Sequence, residues 1–135
     1  DGYNNHRIHR GMRNIRVIQE YDFIHRDTNT SWESWEWQSG GRRQGYHGAF
    51  TLSALGGYEE GKLIGAAFGS SFILAKTEMD SVEIQVEEDL YVEALEWMAA
   101  QRQRRTQQGL PPAKAFCWSR PWEMRATGRP ARRTP

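Results

Sequence analysis

Two of the four histidines stand beside residues that suit acid–base chemistry. His47 follows Tyr46, and His25 lies two positions before Asp27. An imidazole in such a setting can orient a substrate or act as a general base, because it titrates near neutral pH. No serine or cysteine stands at a spacing that indicates a nucleophile. The pattern therefore favours surface or hydrogen-bonded core histidines over a catalytic pair.

The other two histidines, His6 and His9, have the H-x₂-H spacing of some metal sites. A metal site also needs further cysteine, histidine or carboxylate ligands, and the adjacent Arg7 and Arg10 disfavour a bound cation. We therefore predict no metal.

Three consecutive carboxylates, Glu87, Glu88 and Asp89, stand where a predicted strand meets a predicted helix. Many folds bind phosphate at such a junction, because the N–H groups of a helix N-terminus point at the ligand. Carboxylates would repel a diphosphate, and each like-charged pair about 4 Å apart costs on the order of 1–4 kcal/mol. The three residues are better suited to capping a helix.

The elements that position these residues follow from hydrophobic periodicity. Strands are predicted over residues 13–18, 49–55, 62–74, 82–86 and 114–118. One helix is predicted to begin at Glu20, and a second follows the capping box Thr30-Ser31-Trp32-Glu33. A third is predicted over residues 88–105, and Gly109 and Pro111-Pro112 mark its end. Within the 62–74 run, Gly65 and Gly69 each predict a bulge or the close approach of another backbone.

This order of elements predicts an α+β, or mixed α/β, domain. Its central sheet is expected to be mostly antiparallel, with helices packed on it. The last strand is expected to join in parallel through the 88–106 helix. A chain of 135 residues corresponds to one domain, which we place at residues 13–118, after a loose segment 1–12 and before a basic, flexible tail 119–135.

Charge and cysteine content narrow the class of protein. Residues 76–97 hold eight acids and one base, whereas residues 98–135 hold nine bases and one acid. We expect the basic tail to be solvated rather than bound to nucleic acid, because the folded part has no basic face that would extend the contact. The single cysteine, Cys117, allows no intrachain disulfide, and nothing resembles a signal peptide or a membrane-spanning helix. A cytoplasmic protein away from membranes is expected.

The tryptophans are the candidate binding residues. Trp32 and Trp35 would share one face of a helix at i, i+3 and could line a ligand pocket, although packing of that helix on a sheet is the commoner explanation. Near the chain end, Trp118 and Trp122 could anchor a dimer interface. We therefore expect a homo-oligomer or a partner domain.

The segments EEGKLIGAA (residues 59–67) and VEIQV (residues 82–86), followed by an amphipathic helix and a strand, resemble the GNAT acyltransferase superfamily. The resemblance covers about residues 13–118. It implies transfer of an acyl group from acetyl-CoA to an amine, with Glu83 as general base. It places Val86 and Glu87 at the cofactor, and Trp32, Trp35 and Tyr46 on the acceptor side.

The glycine-rich pyrophosphate loop of that family would lie between Val86 and Leu90, where this chain has three carboxylates. The resemblance therefore implies either an N-acyltransferase or a catalytically degenerate relative. Two alternatives from other classes stay open. One is a non-catalytic assembly module that uses the Trp-rich face and the Arg-rich tail, and the other is a cone-shaped α+β fold that binds a small ligand.

Overall fold

The computed structural model describes residues 2–33, 45–79 and 85–117. In chain order the elements are β1 (Arg16–Asp22), α1 (Tyr46–Gly56), β2 (Tyr58–Glu59), β3 (Leu63–Ile64), β4 (Ser71–Lys76), α2 (Val86–Gln107) and β5 (Lys114–Cys117). The mixture of helices and strands that the sequence predicts is confirmed.

The main sheet has three parallel strands in the order β1-β4-β5. The β1–β4 ladder ends with Asp22 opposite Lys76, and the β4–β5 ladder ends with Ala75 opposite Cys117. In a parallel sheet these carboxyl ends lie at one edge, which is where α/β folds commonly bind ligands. The strands β2 and β3 form a separate antiparallel pair.

The central strand β4 is buried on both faces. Phe72 and Leu74 pack with Leu52 of α1, whereas Ile73 packs with Ala94 of α2. Successive side chains of a strand point to opposite faces of a sheet, so the two helices cover opposite faces. The result is three layers, with α1, the sheet and α2 stacked in that order.

The predicted antiparallel centre is not confirmed. Residues 49–55, predicted as a strand, belong to α1, which lies in the connection between the parallel strands β1 and β4. The apolar run alternates as a strand would, but its buried positions Ala49, Leu52 and Gly56 have the i, i+3, i+7 spacing of a helix. A short apolar run of this kind satisfies both periods, and packing on the sheet decides between them.

The other strand predictions also change. The run 62–74 is divided into β3 and β4 by a turn-rich connection over residues 65–70. The run 82–86 loses its last residue, because Val86 begins α2, and residues 80–84 lie outside the described residues. The helix predicted from Glu20 is replaced by β1, which continues to Asp22.

Two predictions about the carboxyl half of the domain are confirmed. The helix predicted over residues 88–105 is α2, and the strand predicted over 114–118 is β5, which is parallel to β4. Gly109 lies directly after the C-cap of α2 with φ of 67°, and its N–H donates to the Thr106 carbonyl. This is the left-handed terminator that glycine provides at a helix end.

Candidate functional site

A cavity of about 350 Å³ lies where the N-terminal segment, the segment after β1 and the start of α1 meet. Its size is within the range of small-molecule sites. Its walls combine amide, guanidinium and hydroxyl groups with aromatic and aliphatic surfaces. The lining residues are Asn4, Asn5, Arg7, Ile8, Ser31, Trp32 and Tyr46.

The N-terminal segment is firmly attached at this place. Tyr3 is fully buried, its N–H donates to the Thr30 carbonyl at 2.8 Å, and its hydroxyl donates to the Ala75 carbonyl at 3.2 Å. The Asn4 N–H donates to the Gly45 carbonyl at 3.3 Å, next to α1. Composition indicated a loose end over residues 1–12, but the described part of that segment packs against the domain.

The Asn4 side chain connects two walls of the cavity. Its Oδ1 accepts the backbone N–H of Trp32 at 2.6 Å, while its own backbone binds Gly45. Asn5 follows with φ of 58°, a left-handed conformation that asparagine tolerates better than most residues. The cavity is therefore held by backbone and amide hydrogen bonds.

A buried polar cluster lies behind the cavity. The Thr30 hydroxyl donates to Glu20 Oε2 at 2.6 Å, and Arg7 forms an ion pair with the same carboxylate. His6 Nδ1 donates to the Tyr3 carbonyl at 2.6 Å, and its Nε2 lies 3.7 Å from Glu20 Oε2. The Arg7 guanidinium is thereby compensated, so it does not present an uncompensated positive charge to the cavity.

The His6 side chain makes the attachment of this segment sensitive to pH. Burial lowers the pKa of His6 from its usual 6.5, the hydrogen bond to the Tyr3 carbonyl opposes this, and the charge of Arg7 adds to the lowering. The unfolded chain therefore takes up a proton at higher pH than the folded chain does. The contribution of neutral His6 to the free energy of unfolding is therefore fully present above about pH 6.5. It is lost as the pH falls through the pKa that His6 has in the folded protein.

We expect the thermal midpoint to be lower at pH 5.5 than at pH 7.5, and the difference to shrink in the variant His6→Asn. Asparagine keeps an amide donor near the position of Nδ1 but cannot be protonated in this range. Differential scanning calorimetry at both pH values would measure the change. The exposed His9, replaced by asparagine, is the matched control. An unchanged pH dependence in His6→Asn would contradict this assignment.

A second buried polar cluster stands at the carboxyl ends of β1 and β4. Lys76 Nζ lies 2.7 Å from Asp22 Oδ2, and both side chains are fully buried. The Oδ1 of Asp22 accepts the backbone N–H groups of Ile24 and His25, and His25 Nδ1 lies 3.1 Å from Oδ2. The carboxylate is thus surrounded by four donors and holds the turn after β1.

The predicted acceptor-side residues are partly brought together. Trp32 and Tyr46, fourteen positions apart, line the same cavity. Trp35 and Glu83 lie outside the described residues. Val86 and Glu87 begin α2, where Glu87 accepts the Met79 N–H at 2.9 Å, and neither residue lines the cavity.

Sequence reasoning missed Asn4, Asn5, Arg7 and Ser31 as cavity residues. The available signal was the polar run before β1, since paired asparagines are typical of a turn that presents amides. The sequence also predicts that a helix begins at the capping box, but residues 30–33 are not helical. Trp32 therefore lines the cavity from a segment without helical structure.

His47 follows Tyr46, which lines the cavity, but His47 itself does not line it. It is the second residue of α1, it is half-buried, and its side chain interacts with another group of the protein. The helix begins at Gly45, which provides no side-chain cap. Backbone N–H groups of the first turn can therefore serve a ligand or a developing negative charge.

Two further features of the described residues bear on the kind of site. Within residues 2–33, 45–79 and 85–117, no three histidine, cysteine, aspartate or glutamate side chains are grouped so that they could hold a metal ion. In the same residues, no helix combines the length and the apolar character that a membrane span needs.

Comparison with known proteins gives no relative. No protein-family model, curated protein or solved structure matches the chain significantly.

Proposed function

We propose that the cavity at the start of α1 is the substrate site of a hydrolase in which His47 is the general base. The observation that carries the proposal is the meeting of Trp32, Tyr46 and the N-terminal segment around a cavity at an uncapped helix start. His47 follows Tyr46 there, on a rigid helix rather than on a loop. The substrate class is an ester or an amide.

His47 is preferred to His25 for this role. The carboxylate beside His25 is already neutralised by Lys76 at 2.7 Å, and it accepts two backbone N–H groups. Such a carboxylate holds the turn after β1 and orients the His25 ring. Neither histidine lines the cavity, but His47 is adjacent in the chain to Tyr46, which does.

In the proposed reaction, His47 takes a proton from a water molecule or a hydroxyl group as that oxygen attacks the substrate carbonyl carbon. The carbonyl oxygen gains negative charge, which the N–H groups of the first turn of α1 would stabilise. His47 then returns the proton to the leaving amine or alkoxide.

We expect His47→Ala to lower kcat for ester or amide hydrolysis about 10²–10⁴-fold, the usual contribution of a positioned general base. The measurement is a rate assay on the natural full-length protein with p-nitrophenyl esters and fluorogenic amides. Circular dichroism must show that the variant stays folded.

The matched control is His9→Ala, since His9 is exposed and does not line the cavity. It should leave the hydrolysis rate unchanged. Equal rates for His47→Ala and the unsubstituted protein would rule out His47 as the base. A lack of hydrolysis with every substrate would leave the proposed reaction class without support.

The N-acyltransferase that the GNAT resemblance implies is the second candidate. What favours it is the strand-helix-strand unit β4-α2-β5, in which β4 and β5 are parallel. Against it, the first turn of α2 carries Glu87, Glu88 and Asp89, which would oppose a diphosphate.

A thermal melt with millimolar acetyl-CoA separates the two candidates. We expect no upward shift of the midpoint, because three carboxylates at the start of α2 oppose a diphosphate. A ligand at 100 times its dissociation constant would add about 2.7 kcal/mol of stability, which is easily detected. A clear upward shift would restore the acyltransferase and make Glu83→Gln the next variant.

A further inference from the structure

The helix α2 has a second stripe of residues on the side away from the sheet. Its buried residues are Leu90, Ala94, Met98 and Gln101. On the opposite side Val92, Leu95 and Ala99 are exposed, with 54% of Val92 and 44% of Leu95 accessible. The spacing of three and four residues continues to Glu88 at one end and Arg102 at the other, which is the seam spacing of paired helices.

We propose that this stripe is the contact surface of a symmetric dimer, in which the α2 helices of two copies of the chain pack antiparallel. The ends of the stripe carry opposite charges, since Glu88 and Arg102 are both exposed. In an antiparallel pair each Glu88 faces the Arg102 of the other copy. A parallel pair would place like charges together.

The side chains of the stripe fit the same arrangement. With Glu88 opposite Arg102, the two-fold axis passes near Leu95, so the two Leu95 side chains meet at the axis. Each Val92 then faces the Ala99 of the other copy, so a larger side chain meets a small one.

The charges and side chains of the stripe indicate that its partner is a second copy of this chain. A two-fold axis requires one surface to complement itself, and this stripe does so in both charge and shape. One helix pair lies at the small end of specific interfaces, so the dimer should be weak and depend on concentration. The proposal is independent of the hydrolase site, because α2 contributes no residue to that cavity.

Sedimentation equilibrium of the full chain from about 10 to 500 µM tests the dimer, a range chosen for a small interface. We expect the weight-average mass to rise with concentration in the unsubstituted chain. Leu95→Asp should keep the chain monomeric over the whole range. Val92 and Leu95 are exposed, so the thermal midpoint of that variant should not change.

A charge exchange tests the orientation. Glu88→Arg and Arg102→Glu should each weaken the dimer at least tenfold, and the double variant should restore most of the affinity. A chain that is monomeric at every concentration would overturn the proposal. So would a dimer that survives Leu95→Asp, or a double variant as weak as the single ones.

Discussion

Replacing Lys76 with methionine is expected to lower the free energy of unfolding by about 3–5 kcal/mol, the usual cost of removing one partner of a buried ion pair. Lys76 and Asp22 are both fully buried, and Nζ lies 2.7 Å from Oδ2. Methionine fills most of the space of the lysine stem, so the change removes the charge and little of the packing. The Asp22 carboxylate would then lie in the interior without its cation.

Asp22 cannot easily move to water after that change. Its Oδ1 accepts the N–H groups of Ile24 and His25, and its backbone N–H donates to the Asp27 carbonyl at 2.8 Å. The pair stands at the last position of the β1–β4 ladder. Its loss should therefore also loosen the turn after β1.

Urea unfolding followed by circular dichroism measures the effect. The second arm is the double variant Asp22→Asn with Lys76→Met, in which the uncompensated charge is absent and Oδ1 still accepts its hydrogen bonds. The double variant should be more stable than Lys76→Met alone, because a buried unpaired charge costs more than a neutral polar group. A cost below about 1 kcal/mol for Lys76→Met would show that the pair contributes little, as exposed pairs do.

The sequence predicts an element best where one physical signal dominates. In α2 the 3.6-residue period extends over many turns, and both the glycine after the C-cap and the two prolines mark its end. Residues 49–55 carry no such length, and their alternation suits a strand as well as a helix. Only contacts with Phe72 and Leu74 of β4, far along the chain, select the helix.

The candidate site also combines residues that local sequence can suggest with contacts that only the folded chain makes. The sequence offers Trp32 as an aromatic candidate on a predicted helix face, and it offers Tyr46 only through the GNAT resemblance. Their meeting with Asn4 depends on a backbone bond from Asn4 to Gly45, forty-one positions away. No local pattern encodes such a contact, because it arises when the N-terminal segment packs against β4 and α1.

The glycines of the 62–74 run show how one local signal has two physical origins. The sequence predicts for both Gly65 and Gly69 a bulge or a close approach of another backbone. The close approach is present at Gly65, where an added Cβ would lie 2.6 Å from the Leu55 carbonyl oxygen. Gly69 has open space around it and a φ of 80°. A turn conformation, rather than crowding, favours glycine there.

Gly65→Ala is expected to lower the free energy of unfolding by about 2–3 kcal/mol, the range of overpacked positions in a well-packed region. The obstructing atoms belong to the backbone at the end of α1, so no flexible side chain can yield. The segment is also tied down by the Gly65 N–H to Gly57 carbonyl bond at 2.8 Å and by the Ala67 N–H to Leu55 carbonyl bond at 2.6 Å. Urea unfolding measures the change.

Gly69→Ala is the matched control, because the same methyl group is added four residues away without a steric obstacle. Its positive φ should cost about 1–2 kcal/mol, the penalty of a left-handed conformation for a residue with a Cβ. The two variants differ in kind as well as in size. Gly65→Ala should displace the end of α1 and shift the amide resonances of Leu55 and Gly56, whereas Gly69→Ala should perturb only its own turn. If both variants lost the same free energy of unfolding and the Leu55 resonance did not shift, the proposed close packing of Gly65 against the end of α1 would be wrong.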